Sequence, residues 1–271
     1  MKRAHFTLLT LISWVFLLLV AVGPAAANCK DLNVVETFPR RLLGLLSPKK
    51  ATAAQGDVKI QWFGHNYFLI TSSQGTQIAT DPFGYQLGYP IPEIYPHVLT
   101  VGREFPNHNS VQYVGGPPPI LRGLIGGGED WNRVDTHIRE VHIFNVPIYQ
   151  RGFGGQYKGS AFVFEVNDLC IAHLGDLGSE MNEDQLAALG KVDVVLIPIG
   201  GQVTMDPITA KQVMAQIKPR IAIPMHFRDS ERLLAEFLRG NWRSIRSESD
   251  TLVVNKKTLP PKTEVVSLRH R

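Results

Sequence analysis

The apolar segment at residues 192–199 constrains the fold of this chain more than any other feature. It is apolar except for Asp193, and it ends at Gly200-Gly201. A strand with so little polar alternation is typical of a sheet that is covered on both faces. Helical periodicity follows at Pro207–Ile217, and a short apolar strand follows at residues 221–224. The second half of the chain therefore predicts an α/β protein in which strands alternate with helices.

The first half predicts a sheet built from hairpins. Residues 58–63 alternate like a strand, and Tyr67–Thr71 and Gln77–Thr80 follow after short polar turns. No Gly- or Pro-rich linker divides the 271 residues, 44% of which are hydrophobic. We therefore expect residues 58–271 to form one domain, a sandwich of sheets covered by helices.

The N-terminus has the pattern of a secretory signal peptide. Lys2 and Arg3 precede an apolar stretch at residues 6–22 that contains only a few hydroxyl residues, and Gly23-Pro24 and Ala25-Ala26-Ala27 follow. A basic start, an apolar stretch and a small-residue cleavage site predict a leader at residues 1–27, an N-terminal arm at residues 28–57, and export to the periplasm or the medium. The alternative is an uncleaved leader that anchors the protein in the membrane, which is the only membrane contact we expect.

Charge and cysteine content limit the possible partners and bonds. Cleavage would remove Lys2 and Arg3 and so lower the net charge from +4 to +2. Because this charge is small and the sequence contains no basic helix, we expect no nucleic-acid partner. Cys29 and Cys170 could form a disulfide in an oxidising compartment. Because Cys170 stands in an apolar strand, a buried free thiol is the interpretation that the sequence favours.

Three segments end an apolar strand with residues that can bind a metal ion. These residues are His108, the pair His173 and Asp176, and His226. The ends of neighbouring strands lie at one edge of a sheet, where loops build sites on a rigid scaffold. Neutral imidazole and carboxylate groups are ligands that zinc prefers. Together, the three segments favour a metal site or the remnant of one.

Five motifs in this order resemble the metallo-β-lactamase superfamily, in the branch of L-ascorbate-6-phosphate lactonase-like proteins and N-acyl-phosphatidylethanolamine-hydrolysing phospholipase D. The motifs are WFGH at 62–65, TDPF at 80–83, HLGDLG at 173–178, LIPIGG at 196–201 and IPMHF at 223–227. The resemblance extends over residues 58–228. It implies an αββα sandwich, the metallo-β-lactamase fold, with a zinc site at one edge and hydrolysis of an ester or phosphodiester in a small-molecule or lipid-like substrate.

The family's first metal position is altered in this chain. Where the family has the motif H-x-H-x-D-H, the chain has Arg103, Phe105, Asn107 and His108 at the four ligand positions, and Gln150 stands where a further His is expected. Phenylalanine cannot coordinate a metal, and arginine stays protonated in proteins. The resemblance therefore implies that the first position, now Arg103, Phe105 and Gln150, has lost its ion.

The second metal position keeps most of its ligands. By the same resemblance, His108, Asp176 and His226 remain, and Asn107 replaces a carboxylate. This set implies at most one zinc ion, or none. A buried Asp176 without its cations needs a counter-charge, so we expect Arg103 to pair with it, unless Arg103 is simply a surface residue.

Two functions are compatible with these residues. The first is a single-metal hydrolase with Asp176 and Arg103 as catalytic residues, in which Arg103 stabilises the developing oxyanion, and with His65 and Asp81 in supporting positions. The second is a non-catalytic descendant that binds a ligand or partner in the same pocket. Because two-metal hydrolases use both ions, the loss of one position predicts the loss of much of that chemistry.

Overall fold

The computed structural model describes Cys29 and residues 56–152 and 155–270. The predicted signal peptide, residues 1–27, lies outside the described residues. So does the predicted arm at residues 28–57, apart from Cys29, Gly56 and Asp57. No helix in the described part of the chain is long and apolar enough to cross a membrane.

Two large sheets form the body of the protein. The six-stranded sheet has the order β15-β1-β2-β3-β4-β5 and consists of β1 (Val58–Gly64), β2 (Tyr67–Thr71), β3 (Gln77–Thr80), β4 (Val98–Val101), β5 (Ile120–Arg122) and β15 (Thr251–Val254). The eight-stranded sheet has the order β14-β16-β13-β12-β11-β10-β9-β8 and consists of β8 (Asp135–Ile138), β9 (Val141–Gly152), β10 (Gly155–Val166), β11 (Leu169–His173), β12 (Val194–Pro198), β13 (Ile221–Met225), β14 (Arg243–Arg246) and β16 (Glu264–Ser267). A two-stranded ribbon joins β6 (Leu124–Ile125) to β7 (Asp130–Trp131).

Three α-helices connect strands of the eight-stranded sheet: α1 (Glu183–Leu189), α2 (Pro207–Ile217) and α3 (Glu231–Leu238). Each begins at a polar cap whose side chain accepts a hydrogen bond from the first turn, and Asn182 forms a complete capping box with Gln185. Strands β11, β12 and β13 are parallel neighbours, as expected for strands joined by crossover helices.

One continuous apolar core lies between the sheets. Val58, Ile60 and Trp62 of β1 are buried, while Lys59 between them is exposed, because alternate residues of a strand face opposite sides. Residues of β10 to β13 and the apolar faces of the helices belong to the same cluster. The predicted sandwich of sheets is therefore present, and the completely buried strand β12 lies near the centre of its sheet, as the apolar segment predicted.

A loop covers the outer face of the six-stranded sheet in the described part of the chain. Phe83 and Tyr89 pack there with Leu69 and Leu99 in a second apolar cluster. The αββα prediction places a helical layer on this face, whereas residues 81–97 form only one 3-10 turn. Four prolines in residues 82–96 explain the difference, since proline lacks the N–H group that a helix interior needs.

Cys29 and Cys170 form a disulfide, so the expectation that Cys170 is a free thiol is wrong. The backbone of Cys29 also bonds at both ends: its N–H donates to Glu165 Oε1 at 2.9 Å, and its carbonyl accepts from Lys191 N at 2.7 Å. Cys170 lies in the central strand β11 and is buried, which is why its apolar surroundings resembled those of a buried thiol. The bond ties the N-terminal arm to the core.

Reduction of this disulfide should lower the free energy of unfolding by about 3–5 kcal/mol, because the closed loop spans 141 positions and restricts the unfolded chain. Urea denaturation with and without a reductant measures the change. The double variant C29S/C170S should unfold at the midpoint of the reduced protein and should not respond to reductant. An unchanged midpoint after complete reduction would contradict the prediction.

Candidate active site

Polar residues from both sheets meet at one edge of the sandwich, immediately after the strands end. His65 follows β1, Asp81 follows β3, and His108 lies in the loop after β4. Asp176 follows β11, and His226 follows β13. All five are buried. The edge predicted from the sequence therefore gathers these residues in one place.

Three of these residues have a left-handed backbone conformation: His65 (φ 49°), Asp81 (φ 40°) and His226 (φ 59°). A non-glycine residue pays about 1–3 kcal/mol for such a conformation, and residues of this kind cluster at functional sites. Hydrogen bonds hold two of them: Trp62 Nε1 donates to the His65 carbonyl at 3.0 Å, and Gly102 N donates to Asp81 Oδ1 at 2.7 Å.

Asp176 is the centre of the site, and four side chains surround its carboxylate. Arg103 Nη1 lies 2.6 Å from Oδ2, so the predicted contact between Arg103 and Asp176 is present. Asn66 Nδ2 donates to Oδ1 at 2.8 Å. The Nε2 atoms of His108 and His226 lie 3.1 Å and 3.3 Å from the two carboxylate oxygens. Burial alone would raise the pKa of Asp176, but its interactions with His108, His226 and Arg103, in that order, outweigh burial and hold the pKa well below its usual range.

His108 bridges two carboxylates. Its Nε2 faces Asp176, and its Nδ1 lies 3.1 Å from Asp81 Oδ2. Burial would lower the pKa of His108, but the charges of Asp176 and Asp81 outweigh burial and raise it to about 9. Asp81 thus orients the His108 ring, because a carboxylate on one ring nitrogen fixes the orientation of the ring.

The pKa values of His65 and His226 are both lowered, which favours the neutral form of each ring. Burial is the main cause that lowers the pKa of each ring, and neighbouring histidines lower the pKa of His65 further. Their ring centroids are 4.0 Å apart. Among the described residues, His65 Nδ1 and both ring nitrogens of His226 are buried without a hydrogen-bond partner. Neutral imidazoles with unpartnered nitrogens are in the form that binds a metal ion.

The geometry of this cluster fits a single metal ion. Ligand atoms of His65, His108 and His226 lie within 4.8 Å of one another. The distances of 3.1 Å and 3.3 Å from Asp176 to His108 and His226 are close to the separation of about 3.3 Å expected for ligands of one tetrahedral zinc ion with bonds of about 2.0–2.1 Å. His65, to which the sequence gave only a supporting position, is thus a member of the candidate ligand set.

The three altered positions line a cavity of about 510 Å³ beside this cluster. Arg103 lies over the Phe105 ring, with its guanidinium carbon 4.9 Å from the ring centroid, and Phe105 is 53% exposed. Gln150 is buried in β9. Asn107 also lines the cavity, and its Nδ2 lies 2.9 Å from His65 Nε2. By the resemblance, Arg103, Phe105 and Gln150 therefore stand at the ligand positions of a first ion. Asn107 stands at the position of a carboxylate.

The sequence missed one residue of the site. Asn66 reaches Asp176 but lies in a turn, next to His65, and gave no signal of its own. His173, which the sequence grouped with Asp176 as able to bind a metal ion, is buried and contacts the backbone carbonyl of Asn66 at 2.9 Å. His142 pairs with Asp135 and Glu165 in β8 and β10, in a separate group.

Comparisons with known proteins agree with this fold. The family model of the β-lactamase superfamily domain matches residues 59–226. Relatives named as UPF0173 metal-dependent hydrolases include one from Anaeromyxobacter sp., 28% identical over 210 residues that cover 65% of this chain and 76% of the relative. Another, from Carboxydothermus hydrogenoformans, is 29% identical over 194 residues that cover 63% of this chain and 84% of the relative.

Solved structures have the same architecture. A Thermotoga maritima protein assigned to the Zn-dependent hydrolases of the metallo-β-lactamase superfamily superposes with a TM-score of 0.59 and 28% identity, covering 78% of this chain and all of the other. A Parabacteroides distasonis protein with 16% identity shares the fold, with a TM-score of 0.54 over 67% of this chain and 86% of the other. Because the family model spans more than half of the sequence, this chain belongs to the β-lactamase superfamily domain family and has the metallo-β-lactamase fold.

Proposed function

We propose that this protein is an exported hydrolase that works with one metal ion and cleaves an ester or phosphodiester in a small-molecule or lipid-like substrate. The observation that carries the proposal is the group of three buried histidines with unpartnered nitrogens beside an open cavity. The names of its relatives as metal-dependent hydrolases support the same class of reaction.

His65, His108 and His226 would hold the ion, with Asp176 as a further ligand. When bound, zinc or a similar divalent ion supplies Lewis-acid polarisation and lowers the pKa of water. Asp81 would keep the His108 ring in place through its contact with Nδ1. The lowered pKa values of His65 and His226 favour binding, because a metal ligand must give up its proton. His108 differs, since Asp176 and Asp81 raise its pKa to about 9, and it would have to release that proton to the solvent when the ion binds.

Arg103 would supply the positive charge that the first ion supplies in two-metal relatives. Its guanidinium is fixed 2.6 Å from Asp176 and lines the cavity, where it can donate to an oxygen that becomes negatively charged during the reaction. A guanidinium does not polarise water as a metal does, so its contribution is limited to orientation and charge. Asp176 and Arg103 are therefore the residues that we assign to catalysis.

The disulfide supports export. Disulfides form and persist in oxidising compartments and are rare in the cytosol of most bacteria. Cys29 is the second residue after the predicted leader, and its partner Cys170 lies in the core. An exported chain with residues 1–27 removed would meet the oxidant that this bond needs.

A second candidate is a non-catalytic protein that binds a ligand in the same cavity. The ion pair between Arg103 and Asp176 favours it, because Asp176 then has a counter-charge without any metal ion. The two candidates differ in whether the metal site is used.

Loading the purified mature protein with zinc should give close to one ion per chain by elemental analysis. His226→Ala and His65→Ala should each weaken zinc binding by more than about 100-fold, since removal of a group that only orients a ligand already costs roughly 10–100-fold. Bis(p-nitrophenyl) phosphate is a suitable substrate, and its hydrolysis should stop when the ion is removed by a chelator.

His142→Ala is the matched control, because this histidine is remote from the site, and it should bind zinc as the natural protein does. If no zinc is retained, the hydrolase proposal fails and the ligand-binding candidate stands. If zinc is retained but His65→Ala binds normally, His65 is not a ligand.

Arg103→Met should lower the free energy of unfolding by about 2–4 kcal/mol in the metal-free protein, because it leaves Asp176 without its nearest cation. Asn66 and His108 still contact the carboxylate and limit the loss. In the double variant R103M/D176N the two losses should not add, with a coupling of about 1–3 kcal/mol in urea denaturation.

Arg246→Met is the control for this experiment. Arg246 pairs with Glu231 on the surface, where both side chains are exposed, so its loss should cost about 1 kcal/mol or less. Equal effects of the two arginine variants, or fully additive effects of R103M and D176N, would show that the buried pair has no special role.

Expression of the full chain in a bacterium with a secretory pathway should yield a mature protein that begins at Asn28. Mass spectrometry of the periplasmic fraction or the medium measures this. Ala27→Leu should block cleavage, since the site requires a small residue. An intact leader recovered in the membrane fraction would favour the anchored alternative.

A further inference from the structure

The cavity beside Asp176 has a wall made by a cross-strand pair. Gln150 of β9 and Tyr157 of β10 lie directly opposite each other, and residues paired in this way face the same side of the sheet. Both line the cavity, together with Arg103 and Phe105. The polar and apolar groups of this wall therefore act on the same ligand.

Gln150 has an unsatisfied acceptor. Only 3% of the residue is exposed, and its Nε2 lies 3.4 Å from the Lys158 carbonyl, to which it donates. If the side-chain amide of Gln150 were rotated by half a turn, its oxygen would face the Lys158 carbonyl oxygen and repel it. The contact with Lys158 therefore fixes which side of the amide carries the oxygen. Among the described residues, Gln150 Oε1 is then buried without a donor. Because buried polar atoms are nearly always paired, this oxygen points to a donor on a ligand.

Arg103 has hydrogen-bond donors that are not used, whereas Gln150 has an unused acceptor. A guanidinium carries five N–H donors, and the ion pair with Asp176 uses only part of that capacity. Phe105 and Tyr157 add aromatic surface, being 53% and 51% exposed at the cavity. Asn107 also has an unpartnered amide oxygen, but its contact with the His65 ring accepts either orientation of the amide. Gln150 is therefore the acceptor with a fixed position.

We infer that the cavity selects ligands with a secondary amide, whose carbonyl accepts from Arg103 and whose N–H donates to Gln150 Oε1. An aromatic or apolar acyl group would lie against Phe105 and Tyr157. Gln150 is on this view a specificity-determining residue that recognises an amide elsewhere in the substrate than the ester or phosphodiester bond that is cleaved. An analogue with an ester oxygen in place of that N–H leaves Oε1 unpaired. The inference rests on the proposed function, because it concerns the cavity in which that reaction would take place.

The test uses two probes that differ by one group. Benzoylglycine and benzoyloxyacetate share the ring, the carbonyl and the carboxylate, but the first has an N–H where the second has an oxygen. Titration of the chelator-treated protein by NMR should show that benzoylglycine binds about threefold to tenfold more tightly, the usual contribution of one hydrogen bond. In Gln150→Met, which keeps the volume and removes the acceptor, the ratio should fall to about one.

Gln156→Met is the matched control. Gln156 is an exposed glutamine on the same hairpin, paired with Arg151, and its replacement should keep the preference for the amide. Thermal melting of each variant verifies that it is folded, and Gln150→Leu provides a second variant without the acceptor if Gln150→Met is unstable.

Equal affinities of the two probes for the natural protein would overturn the inference, and so would a failure of both to bind. Preference retained in the Gln150 variants would also overturn it. Since binding is measured without a metal ion and without turnover, these results are independent of zinc content and hydrolysis. A protein that prefers the amide but retains no zinc would contradict the proposed hydrolase, and the preference for the amide would then belong to the ligand-binding candidate.

Discussion

The buried carboxylate of Asp176 is the constraint on which the arrangement of the site depends. A buried negative charge is unfavourable unless cations and donors compensate for it. Arg103 and His108 provide the charges, and Asn66 provides a donor. Asp81 holds the other side of His108, so two carboxylates face two cations in the metal-free protein. Each member of this group is positioned by another, which explains why the cluster is tightly packed.

The packing of the two sheets creates this group. Arg103, His108 and Asn66 come from loops of the six-stranded sheet, whereas Asp176 follows β11 of the eight-stranded sheet. The contacts between them therefore exist only when the sheets are packed face to face. Because the shared core aligns the strand ends, changes in that core are expected to act on the site. The disulfide additionally links β11, which precedes Asp176, to Cys29.

Strong periodicity made much of the fold predictable. Contacts between residues far apart in the sequence were not predictable. The helix at Pro207–Ile217 and the strands at Tyr67–Thr71 and Gln77–Thr80 have the predicted bounds. Strands β8 and β9 are separated by a tight turn in which Arg139 has a positive φ of 55°, a conformation that hydrophobic periodicity does not reveal. Helix α3 and the last three strands were not predicted, because the apolar pattern there is short and interrupted.

The site was predictable where ligands end strongly apolar strands, as for Asp176 and His226. It was not predictable where a residue contributes from a turn, as Asn66 does. The disulfide was undetermined for a similar reason, since Cys29 is separated from Cys170 by 141 positions and nothing local reveals the pairing. Side chains that act across the fold depend on tertiary packing, which local periodicity does not encode.

Arginine in place of a metal ligand changes the chemistry of the position more than its charge. A metal ion can leave, exchange and act as a Lewis acid, whereas a guanidinium is covalently attached and donates hydrogen bonds in a fixed plane. The position held by Arg103 therefore keeps an electrostatic role and gains directional recognition. Phe105 and Gln150 complete the change, because one offers a ring and the other an acceptor to whatever Arg103 binds. Under the proposed function, what the resemblance identifies as a lost metal position is a cavity equipped to select a ligand.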